Sequence, residues 1–67
     1  MNVEFLYHNP NSFKLISESK NIDFVPQVGT SIRVGNNKYK VSSVTYCLDA
    51  NYFSVKLEHS HDLSSNS

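Results

Sequence analysis

The chain has 67 residues with six basic and six acidic side chains, so its formal net charge is zero when the histidines are neutral. This length fits one domain and excludes a separate regulatory domain, while the balanced charge disfavours nucleic acid and anionic membranes as partners. Apolar runs of only a few residues and an N-terminus without a signal-peptide pattern exclude a membrane-spanning segment and predict a cytoplasmic protein.

The N-terminal part is predicted to form a β-hairpin. Val3, Phe5 and Tyr7 occupy every second position, which is the spacing that places side chains on one face of a strand. The predicted hairpin consists of a strand over residues 2–7, a turn over residues 9–12 and a second strand over residues 13–17.

A polar connection follows the hairpin. Residues 18–23 are predicted to be a loop or a single helical turn. Pro26 and Gly29 then divide residues 24–29 into an extended lead-in and a turn. No segment has the pattern of a long helix.

Residues 31–58 predict a three-stranded antiparallel meander. Phe53, Val55 and Leu57 alternate with polar neighbours, which indicates a strand with one buried face. In the middle strand the alternation changes phase at residues 42–43, and one extra residue there, a β-bulge, would return the later apolar side chains to the same face. The three strands are predicted over residues 31–34, 38–48 and 52–58, joined by turns over residues 35–37 and 49–51.

These elements predict an all-β fold over residues 1–58, a small antiparallel five-stranded barrel or curled sheet. Residues 59–67 contain Leu63 as their only apolar side chain and are predicted to be a disordered polar tail.

A domain of this size buries only about 60% of the surface of its unfolded chain, so it needs a further source of stability, such as a disulfide, a metal or a partner subunit. Cys47 is the only cysteine, which excludes an internal disulfide and fits a reducing compartment. We therefore expect a homodimer, joined through a sheet edge or an apolar face.

A turn from Pro26 to Gly29 that leads into a strand, followed by a Tyr-x-Val-x-x-Val strand from Tyr39 to Val44, resembles a pattern of short β-barrel proteins of bacteriophages and mobile elements. The resemblance implies a Src-homology-3-like barrel and suggests a phage-encoded protein, which would act in the cytoplasm of the host cell. It identifies no functional residue.

Candidate catalytic and metal-binding residues are few. Cys47 would need a nearby base or cation to become a nucleophile, and its apolar neighbours favour a packed thiol. His8 at a strand end is more typical of an exposed or turn-capping histidine than of a general base. His59, His61 and Asp62 offer metal-binding groups, but on a disordered tail they would make a weak site. A small barrel filled by its own side chains also leaves no substrate cavity, so we predict no enzyme activity, no cofactor and no metal.

Surface tyrosines and cations point instead to binding. Tyrosine presents a broad apolar ring with a polar end, although it is also favoured in strands for its β propensity. With Phe53 facing the core, the opposite face would carry aromatic and cationic groups. The residues predicted to bind a partner are Arg33, Tyr46, Tyr52 and Lys56.

Three functions remain open at this point. The first is a non-enzymatic protein-binding module that acts on a host protein, for example as an inhibitor of a bacterial defence complex. The second is a nucleic-acid-binding barrel that uses Tyr52, Lys56, Arg33 and Lys40, which the neutral charge disfavours. The third is a structural component of a phage particle.

Overall fold

The computed structural model describes residues 1–60, which form five β-strands and no helix. The prediction of an all-β fold is therefore confirmed. Within this part of the chain there is no helix that could cross a membrane. The strands are β1 (Asn2–His8), β2 (Leu15–Asn21), β3 (Ser31–Val34), β4 (Asn37–Cys47) and β5 (Tyr52–His59).

The strands form one curled sheet with the order β2-β1-β5-β4-β3. The hairpin β1–β2 and the meander β3–β4–β5 are antiparallel, as predicted. The two halves are joined by a parallel pairing of β1 with β5, in which Val3 lies opposite Phe53 and Phe5 lies opposite Val55. The expectation of a purely antiparallel sheet is wrong at this one pairing, because the first and last strands meet in the middle and run in the same direction.

The second strand differs from its prediction. It runs from Leu15 to Asn21 instead of over residues 13–17, so most of the expected polar loop is a strand. β1 supplies a partner for each of its residues, from His8 opposite Leu15 to Asn2 opposite Asn21. An edge strand of this kind is largely exposed and can be polar, so it lacks the alternation that identifies a half-buried strand.

The predicted β-bulge in β4 is confirmed. Val41 lies opposite Leu57 and Ser43 lies opposite Lys56, which leaves Ser42 as the extra residue. The Ser42 hydroxyl donates a hydrogen bond to the Lys56 carbonyl oxygen at 3.1 Å. As a result Val41 and Val44 both point to the same face of the sheet despite their odd spacing.

Residues 22–30 cross from β2 at one edge of the sheet to β3 at the other. Ile22 and Val25 pack against the core, and Pro26 is buried. At the end of the crossing, the Gly29 amide donates to the Val41 carbonyl at 3.0 Å and the Val41 amide donates to the Thr30 carbonyl at 2.9 Å. Residues 24–29, which were expected to be extended and to end in a turn, therefore cover part of one face of the sheet, which we call the inner face.

The core lies on the inner face and is organised around Tyr39. This residue is 1% exposed, and its ring centroid lies 5.2 Å from that of Tyr7 and 5.5 Å from that of His59. Its hydroxyl donates to the His8 carbonyl at 3.0 Å. His59 is the last residue of β5 and lies opposite Tyr39, so the strand extends one residue past the expected domain boundary. The buried apolar side chains are Val3, Tyr7, Tyr39, Val41, Val55 and Leu57. Residues 61–67 of the predicted tail lie outside the described residues.

Candidate protein-binding surface

The inner face opens into a cleft between the two edge strands. β2 and β3 do not pair, so the curled sheet remains an open half-barrel. The cleft has a volume of about 370 Å³, and Phe5, Tyr7 and Leu57 line it together with residues of both edges. The sheet therefore differs from the expected filled barrel: its two edges stay apart and leave an open cleft of this size.

A hydrogen bond between two side chains that line the cleft changes the pKa of one of them. The Tyr7 hydroxyl donates to Glu18 Oε1 at 2.7 Å. This bond to a carboxylate, together with burial, raises the pKa of Tyr7 to about 12. Lys20 and Arg33 also line the cleft. Among residues 1–60, no serine, cysteine or histidine lines it.

Tyr7 is expected to make the fold sensitive to alkaline pH. An unfolded tyrosine ionises near pH 10, whereas Tyr7 in the folded chain has a pKa of about 12. Because the neutral form is favoured in the fold, its contribution is present below pH 10 and is lost between about pH 10 and 12. Urea unfolding across this range should show a smaller alkaline loss of stability for Tyr7→Phe than for the wild type. An equal loss in both proteins would contradict the prediction.

The four residues predicted to bind a partner do not lie on one surface. Tyr52 and Lys56 occupy the outer face of β5, opposite the core residues of the same strand. Tyr46 lies opposite Phe53 on the inner face, with ring centroids 4.7 Å apart, and its hydroxyl donates to Asn51 Oδ1 at 2.6 Å. Tyr46 is therefore separated from Tyr52 and Lys56 by the sheet itself.

The fourth residue, Arg33, is exposed on β3 and lies far from Tyr52. Arg33 pairs with Lys38, which in turn lies level with Ser60 at the end of β5. Tyr52 is at the other end of β5, eight positions away, which corresponds to about 26 Å along the strand. The predicted nucleic-acid surface would need these groups side by side. In the described sheet Lys56 is four residues from Tyr52 on the same face of β5, but Arg33 lies at the opposite end of the sheet from Tyr52.

Of the candidate catalytic and metal-binding residues, Cys47 and His8 lie apart from each other in the described sheet. Cys47 is half-buried at the end of β4, opposite Tyr52. A hydrogen bond to Cys47 is the main cause that raises the pKa of Tyr52. His8 is exposed. No cluster of three or more potential metal ligands occurs within residues 1–60, and His61 and Asp62 lie outside that range.

The loop between β1 and β2 displays Phe13. Asn9 organises this loop, since its side-chain oxygen accepts from the amides of Asn11 at 2.8 Å and Ser12 at 3.4 Å. The Asn9 carbonyl accepts from the Phe13 amide at 2.7 Å, and the Asn9 amide donates to the Lys14 carbonyl at 2.9 Å. Phe13 is held at a φ of 60° and is 78% exposed. A bulky side chain with positive φ is uncommon and marks a strained position.

Phe13 is part of a larger apolar area at the end of the sheet where the β1–β2 hairpin turns, which we call the hairpin patch. Leu15 is 63% exposed and lies opposite His8, and Leu6 lies opposite Lys56. One depression is lined by Leu6, His8, Leu15 and Lys56, and a second is lined by His8, Pro10 and Phe13, so His8 joins them. The hairpin patch consists of Leu6, His8, Pro10, Phe13, Leu15 and Lys56.

Sequence reasoning included only Lys56 of the hairpin patch among the binding residues. The predicted second strand begins at Phe13, and a side chain in a strand has an even chance of facing the core. The turn signal at residues 9–12 could have placed Phe13 instead, because a side chain directly after a polar turn often lies at the exposed tip of a hairpin.

No protein-family model matches the chain, and comparisons with curated proteins and with solved structures found no match.

Proposed function

We propose that this protein is a non-enzymatic protein-binding module that docks through the hairpin patch, with Phe13 as the anchor. The observation that carries the proposal is the exposed aromatic ring of Phe13 on a loop fixed in a strained conformation. Buried aromatic anchors contribute much of the binding energy at protein interfaces. Backbone strain of this kind persists where the surrounding structure enforces it and concentrates at functional sites.

Preorganisation of the loop supports binding. Ordering a flexible loop on association costs free energy that is subtracted from the affinity. The hydrogen bonds of Asn9 fix the backbone of residues 9–14 before any partner arrives. Phe13 can therefore insert into a partner without a large cost in loop entropy.

The charges around the hairpin patch define the chemistry of the partner. Lys14 and Lys56 are exposed beside the apolar side chains, and Glu58 and Glu4 are carboxylates near Lys56 on the outer face. The surroundings therefore carry two cations and two carboxylates, with the lysines next to the apolar side chains. We infer a partner protein with an apolar pocket for the Phe13 ring and individual acidic groups that face Lys14 and Lys56. The resemblance to bacteriophage proteins makes a host protein, such as a component of a defence complex, the first class of target.

A comparison of single variants tests this proposal. The chain is immobilised and exposed to a lysate of the cells that carry its gene, and any bound protein is then purified and titrated against each variant. Phe13→Ala is expected to weaken binding by about 30-fold or more, as expected for the loss of a hot-spot aromatic. Phe24→Ala serves as the matched control, because Phe24 is 64% exposed and lies outside the hairpin patch.

The control variant should bind like the wild type. Equal binding by Phe13→Ala and the wild type would overturn the proposal, as would retention of nucleic acid in place of protein.

A further inference from the structure

We propose that the outer edge of β2 is a homodimer interface, in which β2 pairs antiparallel with β2 of a second copy about a two-fold axis at Ser19. The inference does not depend on the hairpin patch. It rests on the direction of the unpaired backbone groups and on the order of the side chains in the strand.

The hydrogen bonds between β1 and β2 show which backbone groups remain free. The Ile22 amide donates to the Met1 carbonyl at 3.0 Å, and the Met1 amino group donates to the Ile22 carbonyl at 2.9 Å. Such pairs recur at every second residue of an antiparallel ladder, so the even-numbered residues of β2 bond to β1. The residues whose amide and carbonyl groups point away from the sheet are Leu15, Ser17, Ser19 and Asn21.

The sequence of β2 is self-complementary about Ser19. In a two-fold antiparallel pair centred there, Ser19 faces the partner's Ser19 and Ser17 faces the partner's Asn21. Both are positions whose backbone groups are free, and each such pair forms two hydrogen bonds. Ile16 faces the partner's Ile22 at the two ends, and both isoleucines already pack against the core of their own chain.

The charged residues of β2 also match. Glu18 faces the partner's Lys20 in this register, and the symmetry repeats the pair. Both side chains lie on the inner face, since Glu18 is opposite Phe5 and Lys20 is opposite Val3. They occupy non-hydrogen-bonded positions of the new ladder, where opposed residues lie closest, with about 4.5 Å between Cα atoms.

Both groups are available for the intermolecular pair. Glu18 accepts the Tyr7 hydroxyl with Oε1, which leaves Oε2 free. The Lys20 ammonium has neither a hydrogen bond nor an ion pair within residues 1–60. A second copy would therefore supply a partner for Lys20 that residues 1–60 of its own chain do not provide.

These charges also explain why β2 would select its own copy. Inward-facing charges on an edge strand oppose pairing with unrelated strands. A second β2 is an exception, because it places each charge opposite its complement. The other edge, β3, has only four residues, and centring a two-fold pair on Arg33 would place two arginines together.

Charge reversal tests the interface. Mass in solution is measured for the full chain by light scattering from micromolar to millimolar concentration. Glu18→Lys places Lys opposite Lys, and Lys20→Glu places Glu opposite Glu, so each variant alone should dimerise at least about tenfold more weakly than the wild type. A mixture of the two variants restores both ion pairs and should form a heterodimer. This recovery excludes simple unfolding as the cause of the loss.

Two further variants complete the test. Ser19→Pro removes an outward-facing amide that forms no hydrogen bond in the described part of the chain, and it should yield a folded monomer. Arg33→Glu changes the other edge and should leave the dimer intact. A monomeric wild type at millimolar concentration, dimers that persist in both single variants, or a mixture that stays monomeric would each overturn the proposal.

Discussion

Tyr39→Ala is expected to unfold the domain at room temperature. Tyr39 is the largest of the fully buried side chains and contacts both Tyr7 and His59. Truncating a buried aromatic residue to alanine costs about 3–5 kcal/mol, through lost transfer free energy and the cavity that remains. A single core in a domain of this size supplies only about 3–5 kcal/mol of stability, so the loss is comparable to the total. Far-ultraviolet circular dichroism should show the loss of β structure.

The matched control is Tyr39→Phe. It keeps the ring contacts and removes only the hydroxyl that donates to the His8 carbonyl. The expected loss is about 1 kcal/mol, typical of one hydrogen bond, and the protein should stay folded in a urea titration. A folded Tyr39→Ala variant with a loss no larger than that of Tyr39→Phe would show that Tyr39 does not organise the core.

The meander could be predicted from the sequence because its signals are local. Ile32 and Val34 in β3, and Phe53, Val55 and Leu57 in β5, alternate because one face of each strand is buried. The β-bulge was visible as the change of phase between Val41 and Val44. A one-residue shift moves side chains to the opposite face, so the pattern specifies the register strongly.

The pairing of β1 with β5 and the length of β2 could not be predicted in this way. The contacts of Val3 with Phe53 join residues that are far apart in sequence, and no local pattern encodes them. Residues 18–21 extend β2 because β1 offers free backbone partners, whereas their own side chains are polar. The open cleft follows from both facts, since the order of the strands leaves β2 and β3 as separated edges.

The predicted binding residues also differ in how far local sequence patterns could predict their positions. The β-bulge that sequence analysis identified already turns Tyr46 toward the inner face, so its separation from Tyr52 could have been anticipated. The distance of Arg33 from Tyr52 could not, because it depends on the register of three strands together. The exposure of Phe13 depends on hydrogen bonds of Asn9 that no alternation pattern reports.

Phe13→Gly is expected to stabilise the fold while it weakens partner binding. Phe13 adopts a φ of 60°, which costs a residue with a Cβ atom about 1–2 kcal/mol and costs glycine little. Because the side chain is 78% exposed, its removal sacrifices little packing. The free energy of unfolding measured in urea should be about 1 kcal/mol higher for Phe13→Gly than for Phe13→Ala, because alanine loses the same ring but keeps the strained backbone.

Binding should respond differently from stability in these two variants. Both lack the aromatic ring, so both should bind the partner at least about 30-fold more weakly than the wild type. Only glycine relieves the strained backbone, so the two variants should differ in unfolding free energy and agree in affinity. A Phe13→Gly protein that is less stable than Phe13→Ala would mean that the loop is not strained at this residue. Retained affinity in either variant would mean that the ring is not the anchor.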